Sequence, residues 1–369
     1  MHIVRSSIYY FCIFLIFIFI GVANAQENTK LSIAVTLPDL VPVVTTIAGD
    51  MANVEGIMAP GADPHSYSLT PENYDAVRKA DLVVFADSEF LSLEGDLAKA
   101  IENDAIPKVD WPDYQAFGAK IKDFPPRYNG NPHGFWLGFD NIRAIAKGIK
   151  DALVKKGLDN TKCENNLNIF LDEIDNLEAS GKELLDSKGY SESKWIAIIP
   201  GVVYSIDNLG LTTADVLLEE GVGFASGGRL KNIEMKLVNG EYTGLVCPLS
   251  MKDAKPGEIA KQVAGDTGVP IAYVKFLDSK AGESYLSQAA YNLAAISSAA
   301  SSRIVTREEK AKSNSQSYIY VLIYWLVIFA LLIIIVILNS KLYLHAKEPI
   351  RGSGIFEKKG KAPKPGRKK

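Results

Sequence analysis

Residues Tyr318 to Leu338, YIYVLIYWLVIFALLIIIVIL, run for 21 positions without a charge, a glycine or a proline. Such a run predicts a helix that crosses a bilayer, because a helix satisfies its own backbone polar groups where no water can. At about 1.5 Å per residue it reaches roughly 31 Å, the thickness of a hydrocarbon core. The following stretch, KLYLHAKEPIRGSGIFEKKGKAPKPGRKK, holds ten Lys or Arg against two Glu. The positive-inside rule therefore expects residues 339–369 in the cytoplasm and residues 26–317 outside. The beginning of the chain agrees: Arg5, an apolar run and the small-residue pattern Ala23-Asn24-Ala25 read as a secretory signal over 1–25, cleaved before Gln26. An uncleaved anchor is the alternative, since the apolar run is nearly long enough to span.

What remains is a body too large for one ordinary domain, so two lobes are expected. The whole chain carries −3; without the +8 of the tail and Arg5, residues 6–340 carry −12. An acidic external body argues against a nucleic-acid partner and is compatible with cations. Beyond Cys12 in the signal, the body holds Cys163 and Cys247, and spacing alone does not pair them. No Cys/His arrangement of zinc-finger type occurs, and no cysteine directly follows the signal for lipid attachment.

Strands and helices alternate along this body, which predicts an α/β class with parallel sheets. KLSIAVTLP reads as a strand, PDLVPVVTTIAGD as a helix, and NVEGIMAPGADPHSY as a strand entering a loop. Thr70-Pro71-Glu72-Asn73 opens a helix, with Thr as N-cap, Pro in the first turn and Glu early against the dipole. LVVFAD is a buried parallel strand. From Thr161 to Lys188 apolar residues recur at helical spacing, enough for a rod of roughly 40 Å joining two lobes. The rhythm then resumes with strand WIAII, a helix expected around Asp207–Gly221, strand YTGLVCPL, helix Pro256–Gly268, strand IAYVKFLD and helix Ser284–Ser302. Glycine-rich GVGFASGGRL is expected to be a turn. The expected boundaries are a 26–160 lobe, a 161–190 linking helix, a 191–302 lobe, a 303–317 polar stalk and the 318–338 membrane helix.

Ligands of α/β sheets collect beyond the carboxyl ends of the strands. Four loops stand there: Asp63-Pro64-His65, Asn131-Pro132-His133, Ile199-Pro200-Gly201 and Leu277-Asp278-Ser279. Two share the form Asp/Asn-Pro-His. Proline stiffens the loop and fixes the direction of the imidazole, which lowers the entropy cost of binding. Two neutral imidazoles and a carboxylate suit a borderline divalent ion, so His65, His133 and Asp278 form a candidate metal site. The bland alternative is a pair of solvated loop histidines.

The motifs GADPHSYSLTPENYDAVRKADLVVF, NPHGFWLGFDNIRAIAKGIKDAL, VVYSIDNLGL and LDSKAGESYLSQAAYNL give the body, over residues 31–302, a specific likeness. It resembles the metal-binding solute-binding proteins of ABC transporters for zinc, manganese and iron. The resemblance implies ligands at His65, His133 and Asp278, a long rigid helix between two lobes, modest lobe rotation, and an ABC permease as partner. It also implies zinc as cargo, with manganese or iron as alternatives. One position departs: the spacing from Tyr204 and Gly210 puts Ile199 where the family has a third His or Glu, and Cys247 stands where a strand Glu is frequent. Water could fill the open position. Cys247, Asp207 or a small chelator could complete the shell, or the site could be degraded. A non-transport relative, binding a metal chelate or a protein or surface partner, is the rival reading.

An enzyme is not expected. Neither a G-x-S-x-G elbow, a P-loop nor H-E-x-x-H is present, and Asp63 and Glu94, the nearest candidate bases, read as loop stiffening and helix surface.

Overall fold

The computed structural model describes residues 30–124, 129–219, 223–280, 282–302 and 307–346. The expected signal segment 1–25, residues 303–306 of the expected stalk and the basic tail from 347 lie outside them. The chain divides into two compact units, Met1–Arg307 and Glu308–Lys369.

The first unit begins with β1 (Leu31–Val35), α1 (Val41–Ala48), β2 (Ala52–Gly56), α2 (Pro71–Lys79), β3 (Leu82–Val84), α3 (Ser92–Glu102), β4 (Lys108–Val109), α4 (Trp111–Gln115) and α5 (Phe139–Lys155). The four strands form one parallel sheet in the order β2-β1-β3-β4. β3 and the second half of β1 (Ile33, Ala34, Val35) are buried at every position, as a sheet covered on both faces requires. Thr70 opens α2 in a capping box with Asn73, as its sequence predicts.

Next comes α6 (Asn160–Ser187), 28 residues opened by Asp159, whose carboxylate accepts the Thr161 and Lys162 N–H groups. Its buried residues Leu167, Phe170, Ile174 and Leu185 lie on one stripe. That stripe packs against α1 and α5 on one side of the molecule and against α10 (Tyr285–Ala300) on the other. At Gly181 a Cβ would come within 2.7 Å of the Leu209 side chain, so the helix approaches the second half closely.

The second half holds β5 (Lys194–Ala197), α7 (Val203–Asp207), β6 (Thr212–Val216), a hairpin of β7 (Leu218–Glu219) and β8 (Gly223–Phe224), α8 (Gly227–Val238), β9 (Gly244–Pro248), α9 (Lys255–Thr267) and β10 (Ile271–Val274). Its parallel sheet runs β10-β9-β5-β6. Strand alternation divides the core here. Trp195, Ala197, Val246, Ala272 and Val274 join a continuous core that reaches back to β1. Ile196, Ile198, Leu245 and Cys247 face a separate cluster under α8 and α9.

Two expectations need correction. The helix expected around Asp207–Gly221 is instead α7 ending at Asp207, followed by β6 and β7. Thr212 to Val216 is rich in β-branched residues, and it pairs with β5, an interaction that outweighs local periodicity. GVGFASGGRL is not simply a turn, because Gly223–Phe224 is β8 and Gly227 begins α8.

The second unit is described by α11 (Arg307–Ala346), a 40-residue helix. Tyr320–Ser340 within it is long and apolar enough to cross a membrane by length and composition. Helix α11 includes residues 307–317 of the expected stalk.

Candidate metal-binding cleft

Both sheets reverse their direction of strand addition once. In the first the reversal falls between β1 and β3, and in the second between β5 and β9. Adjacent loops diverge at such switch points and leave a crevice beyond the carboxyl ends of the strands. A cavity of about 180 Å³ lies there. Its walls come from the loops after β2 (Asp63, Pro64, His65) and β3 (Phe90), from the segment before α5 (His133, Gly134, Trp136), and from the loops after β5 (Ile199, Pro200, Gly201), β9 (Met251) and β10 (Phe276). Leu218 of β7 completes the lining.

His65 and His133 meet in this cavity with ring centroids 5.6 Å apart and planes inclined at 51°. The edge of each ring relation is set by Phe90, whose centroid lies 5.6 Å from that of His65 and 5.0 Å from that of His133. Both contacts are T-shaped, an arrangement aromatic quadrupoles favour.

Each histidine is oriented by the residue two positions before it. Asp63 Oδ1 accepts the His65 backbone N–H at 3.0 Å while Oδ2 accepts the Ser66 hydroxyl at 3.2 Å. This closes an Asx turn around the buried Pro64. Asn131 is fully buried, and its Nδ2 donates to the Pro200 carbonyl at 3.0 Å. Oδ1 is therefore the acceptor; it receives the His133 backbone N–H at 3.1 Å and faces His133 Nδ1 at 3.0 Å. A neutral His133 consequently carries its proton on Nδ1 and its lone pair on Nε2, the tautomer a metal ligand needs.

The backbone around His133 is pressed against the second half of the molecule. Gly134 has φ of 69°, and a Cβ there would stand 2.0 Å from the Gly201 carbonyl oxygen. On Gly201 a Cβ would meet the Phe276 ring at 2.5 Å. Only glycine permits both the left-handed backbone and this approach. Further bonds fix the contact: Tyr204 donates to the Asn131 carbonyl at 2.8 Å, and Asn208 joins the Leu137 carbonyl and the Phe139 N–H.

Asp278 is placed differently. It is half-buried in the loop after β10 and is not among the side chains lining the cavity. Its neighbours tie that loop to the first half: Gly61 N–H donates to the Leu277 carbonyl at 2.6 Å. Buried Asp39 accepts from Leu277 N–H at 2.8 Å, from the Ser279 hydroxyl at 3.1 Å and from Trp136 Nε1 at 3.2 Å. Burial raises the Asp39 pKa, and these donors offset only part of the rise. Leu277 itself takes φ of 54°, a strained value for a branched side chain. Among the described residues, no group of three or more His, Cys, Asp or Glu stands close enough to hold one ion.

Neither protein group considered as a substitute for the donor missing at Ile199 lines the cavity. Cys247 is buried in the cluster under α8 and α9, which pushes its thiol up to about 12. Asp207 pairs with Lys122 at 2.7 Å. Cys163 and Cys247 are both free and buried in different clusters, so they form no disulfide.

Glu94 corrects its reading as helix surface. It is fully buried at the start of α3, where its carboxyl accepts the Ala86 and Asp87 N–H groups and pairs closely with the Thr36 hydroxyl. Burial raises its pKa to about 7, against the lowering effect of those hydrogen bonds. Its task is to hold the loop that carries Phe90. Phe90, Asn131 and Asp39 are the site-building residues that sequence reasoning did not assign. Only Asn131 had a local signal, its place at the head of the Asn-Pro-His triplet.

The family described as zinc-uptake complex component A, periplasmic, matches residues 33–299. A manganese ABC transporter substrate-binding lipoprotein of Streptococcus gordonii is 27% identical over 314 residues, covering 78% of this chain and 97% of the relative. Two solved structures share the fold. The substrate-binding protein FpvC of Pseudomonas aeruginosa, solved with Mn2+, has a TM-score of 0.59 at 19% identity, covering 73% of this chain and 98% of its own. Zn(II)-bound AdcA of Streptococcus pneumoniae has a TM-score of 0.57 at 20% identity, covering 74% and 58%.

Proposed function

This chain belongs to the family of the periplasmic component A of zinc-uptake complexes, and from that premise we propose that it captures a divalent metal ion and hands it to the permease of an ABC importer. Members of this family bind and deliver; no chemical step is part of that role. The observation that carries the reading is the pair of imidazoles, brought within 5.6 Å at the crevice between two sheets, with Asn131 holding His133 in the ligating tautomer. Zinc is the preferred cargo because two imidazoles and a carboxylate suit a borderline ion; manganese and ferrous iron are the alternatives. His65 and His133 are the proposed first ligands. Asp278 is the proposed third, supplied by the loop that Asp39 and Gly61 tie to the first half.

Location follows from composition. The apolar span Tyr320–Ser340 is proposed to anchor the body outside the membrane, with the basic tail in the cytoplasm. Extensive bonding between the halves and the packing of α6 against both support small lobe rotation on binding. The test is calorimetric titration of the metal-stripped chain with zinc and with manganese, beside a His65→Ala/His133→Ala variant. One-to-one binding lost in the variant is expected. An unchanged isotherm in the variant refutes the two-histidine site.

A further inference from the structure

The cavity is larger than an ion needs, and its walls are of the wrong kind for one. A water molecule requires roughly 10–15 Å³ of such space, and an apolar cavity of about 150 Å³ accepts a benzene ring. The cavity here measures about 180 Å³. Beyond the two imidazoles its surface is formed chiefly by Phe90, Ile199, Leu218, Met251 and Phe276. Ile199 supplies a wall where a donor would otherwise stand, and neither Cys247 nor Asp207 lines the space in compensation. Bare hydrated metal would leave apolar side chains facing water and coordination positions without protein donors.

Resting on the metal-capture reading, we propose that the cleft takes its divalent ion as a complex with a small organic chelator that carries one flat, ring-sized apolar body. The chelator supplies the nitrogen and oxygen donors that the protein lacks at Ile199. His65 and His133 supply two imidazole nitrogens to the same ion, and zinc accommodates five donors as well as four, so Asp278 remains compatible. The ring occupies the space between Phe90 and Ile199, where it displaces water from apolar surface. Asp63, the one carboxylate among the lining residues, is engaged by the His65 N–H and the Ser66 hydroxyl. The ligand thus meets imidazole at one end and hydrocarbon at the other, the arrangement of a small-molecule pocket rather than of a closed ion cage.

The experiment compares two chelators with the same donor pair. Pyridine-2-carboxylate and glycinate each offer one nitrogen and one carboxylate oxygen, but only the former carries a ring. Because the glycine nitrogen is protonated near neutral pH, the two are dosed to give equal concentrations of the one-to-one zinc complex. The metal-stripped full chain in detergent is titrated with buffered free zinc alone, with zinc and glycinate, and with zinc and pyridine-2-carboxylate. Retention of the aromatic acid is read from its ultraviolet absorbance after equilibrium dialysis. The expected result is a tenfold or greater gain in apparent zinc affinity with pyridine-2-carboxylate, none with glycinate, and one ring retained per zinc. Ile199→Glu, which adds an oxygen donor and replaces an apolar wall with a charged one, is expected to tighten zinc alone and abolish that gain. Equal zinc affinity in all three titrations, or zinc bound without the ring, overturns the chelate proposal and leaves metal capture standing. No binding in any titration overturns both.

Discussion

Glu94 offers a sharp test of how the cleft is held. The substitution is Glu94→Gln. Oε2 accepts the Ala86 and Asp87 N–H groups at 3.1 and 2.7 Å, while Oε1 also lies 2.9 Å from the Ala86 nitrogen and pairs closely with Thr36. In the neutral carboxylic acid Oε1 carries the proton toward Thr36, whose hydroxyl then donates to the Val84 carbonyl at 3.1 Å. Glutamine reproduces that pattern, with its oxygen accepting and its amide donating, so the loop geometry is expected to survive. The folded-state pKa of about 7 stands above the ordinary 4.5 because burial penalises the charge. At about 1.4 kcal/mol per tenfold in proton affinity, the displacement corresponds to roughly 3 kcal/mol. Because the folded pKa is raised, this contribution is fully present below about pH 4.5, where both states hold the proton. It is lost as the pH climbs to about 7, because the unfolded chain ionises first. Glutamine does not titrate. The variant should match the parent near pH 4.5 and exceed it by up to about 3 kcal/mol at pH 8. Urea unfolding followed by near-ultraviolet circular dichroism, at half-unit steps from pH 4.5 to 8, reads the difference. Other carboxylates contribute equally to both proteins and cancel. Parallel stability curves, or a variant weaker than the parent at pH 8, would refute the argument that Glu94 is held neutral by burial.

Asn131→Ala should lower metal affinity by about 10- to 100-fold, the usual effect of losing the group that orients a ligating histidine, measured by zinc titration. The same change leaves the Pro200 carbonyl without its side-chain donor and should cost about 1–3 kcal/mol in urea unfolding. Gly134→Ala places a Cβ against the Gly201 carbonyl and imposes a left-handed backbone on alanine. It should destabilise by more than about 1 kcal/mol and weaken zinc binding together with stability; unchanged stability would show that the halves part readily. Asp39→Asn turns an all-acceptor group into one with a donor facing the donors Leu277 N–H, Ser279 and Trp136. Faster amide exchange across residues 277–279 is the expected signature, read by hydrogen–deuterium exchange. Removal of residues 318–369 should release the body from membranes washed in carbonate, measured by fractionation.

Much of the architecture was legible because periodicity and capping are local properties. Thr70 with Asn73, the apolar stripe of α6, and the buried runs of β1, β3 and β9 each announce their element within a few residues. Two Pro-His loops likewise announced that imidazoles would be presented stiffly, His65 after a strand and His133 ahead of a helix. Where local signals failed, a partner distant in sequence decided. Thr212–Val216 became a strand because β5 was there to pair with it, across the intervening residues 198–211.

The same distinction holds for the cleft. Sequence alone determined that His65 and His133 would stand on rigid turns, and that Ile199 could contribute no donor. Only the tertiary structure decided that the two imidazoles meet and that Phe90 packs on both. It alone set the tautomer of His133 through Asn131 and the Pro200 carbonyl. It also kept Asp278 off the cavity wall and buried Glu94 behind the Phe90 loop. The physical reason is that turn stiffness and donor chemistry belong to single residues and their neighbours. Burial, hydrogen-bond partnership and the distance between two rings are set by which elements the fold packs together, and no short window of sequence contains them.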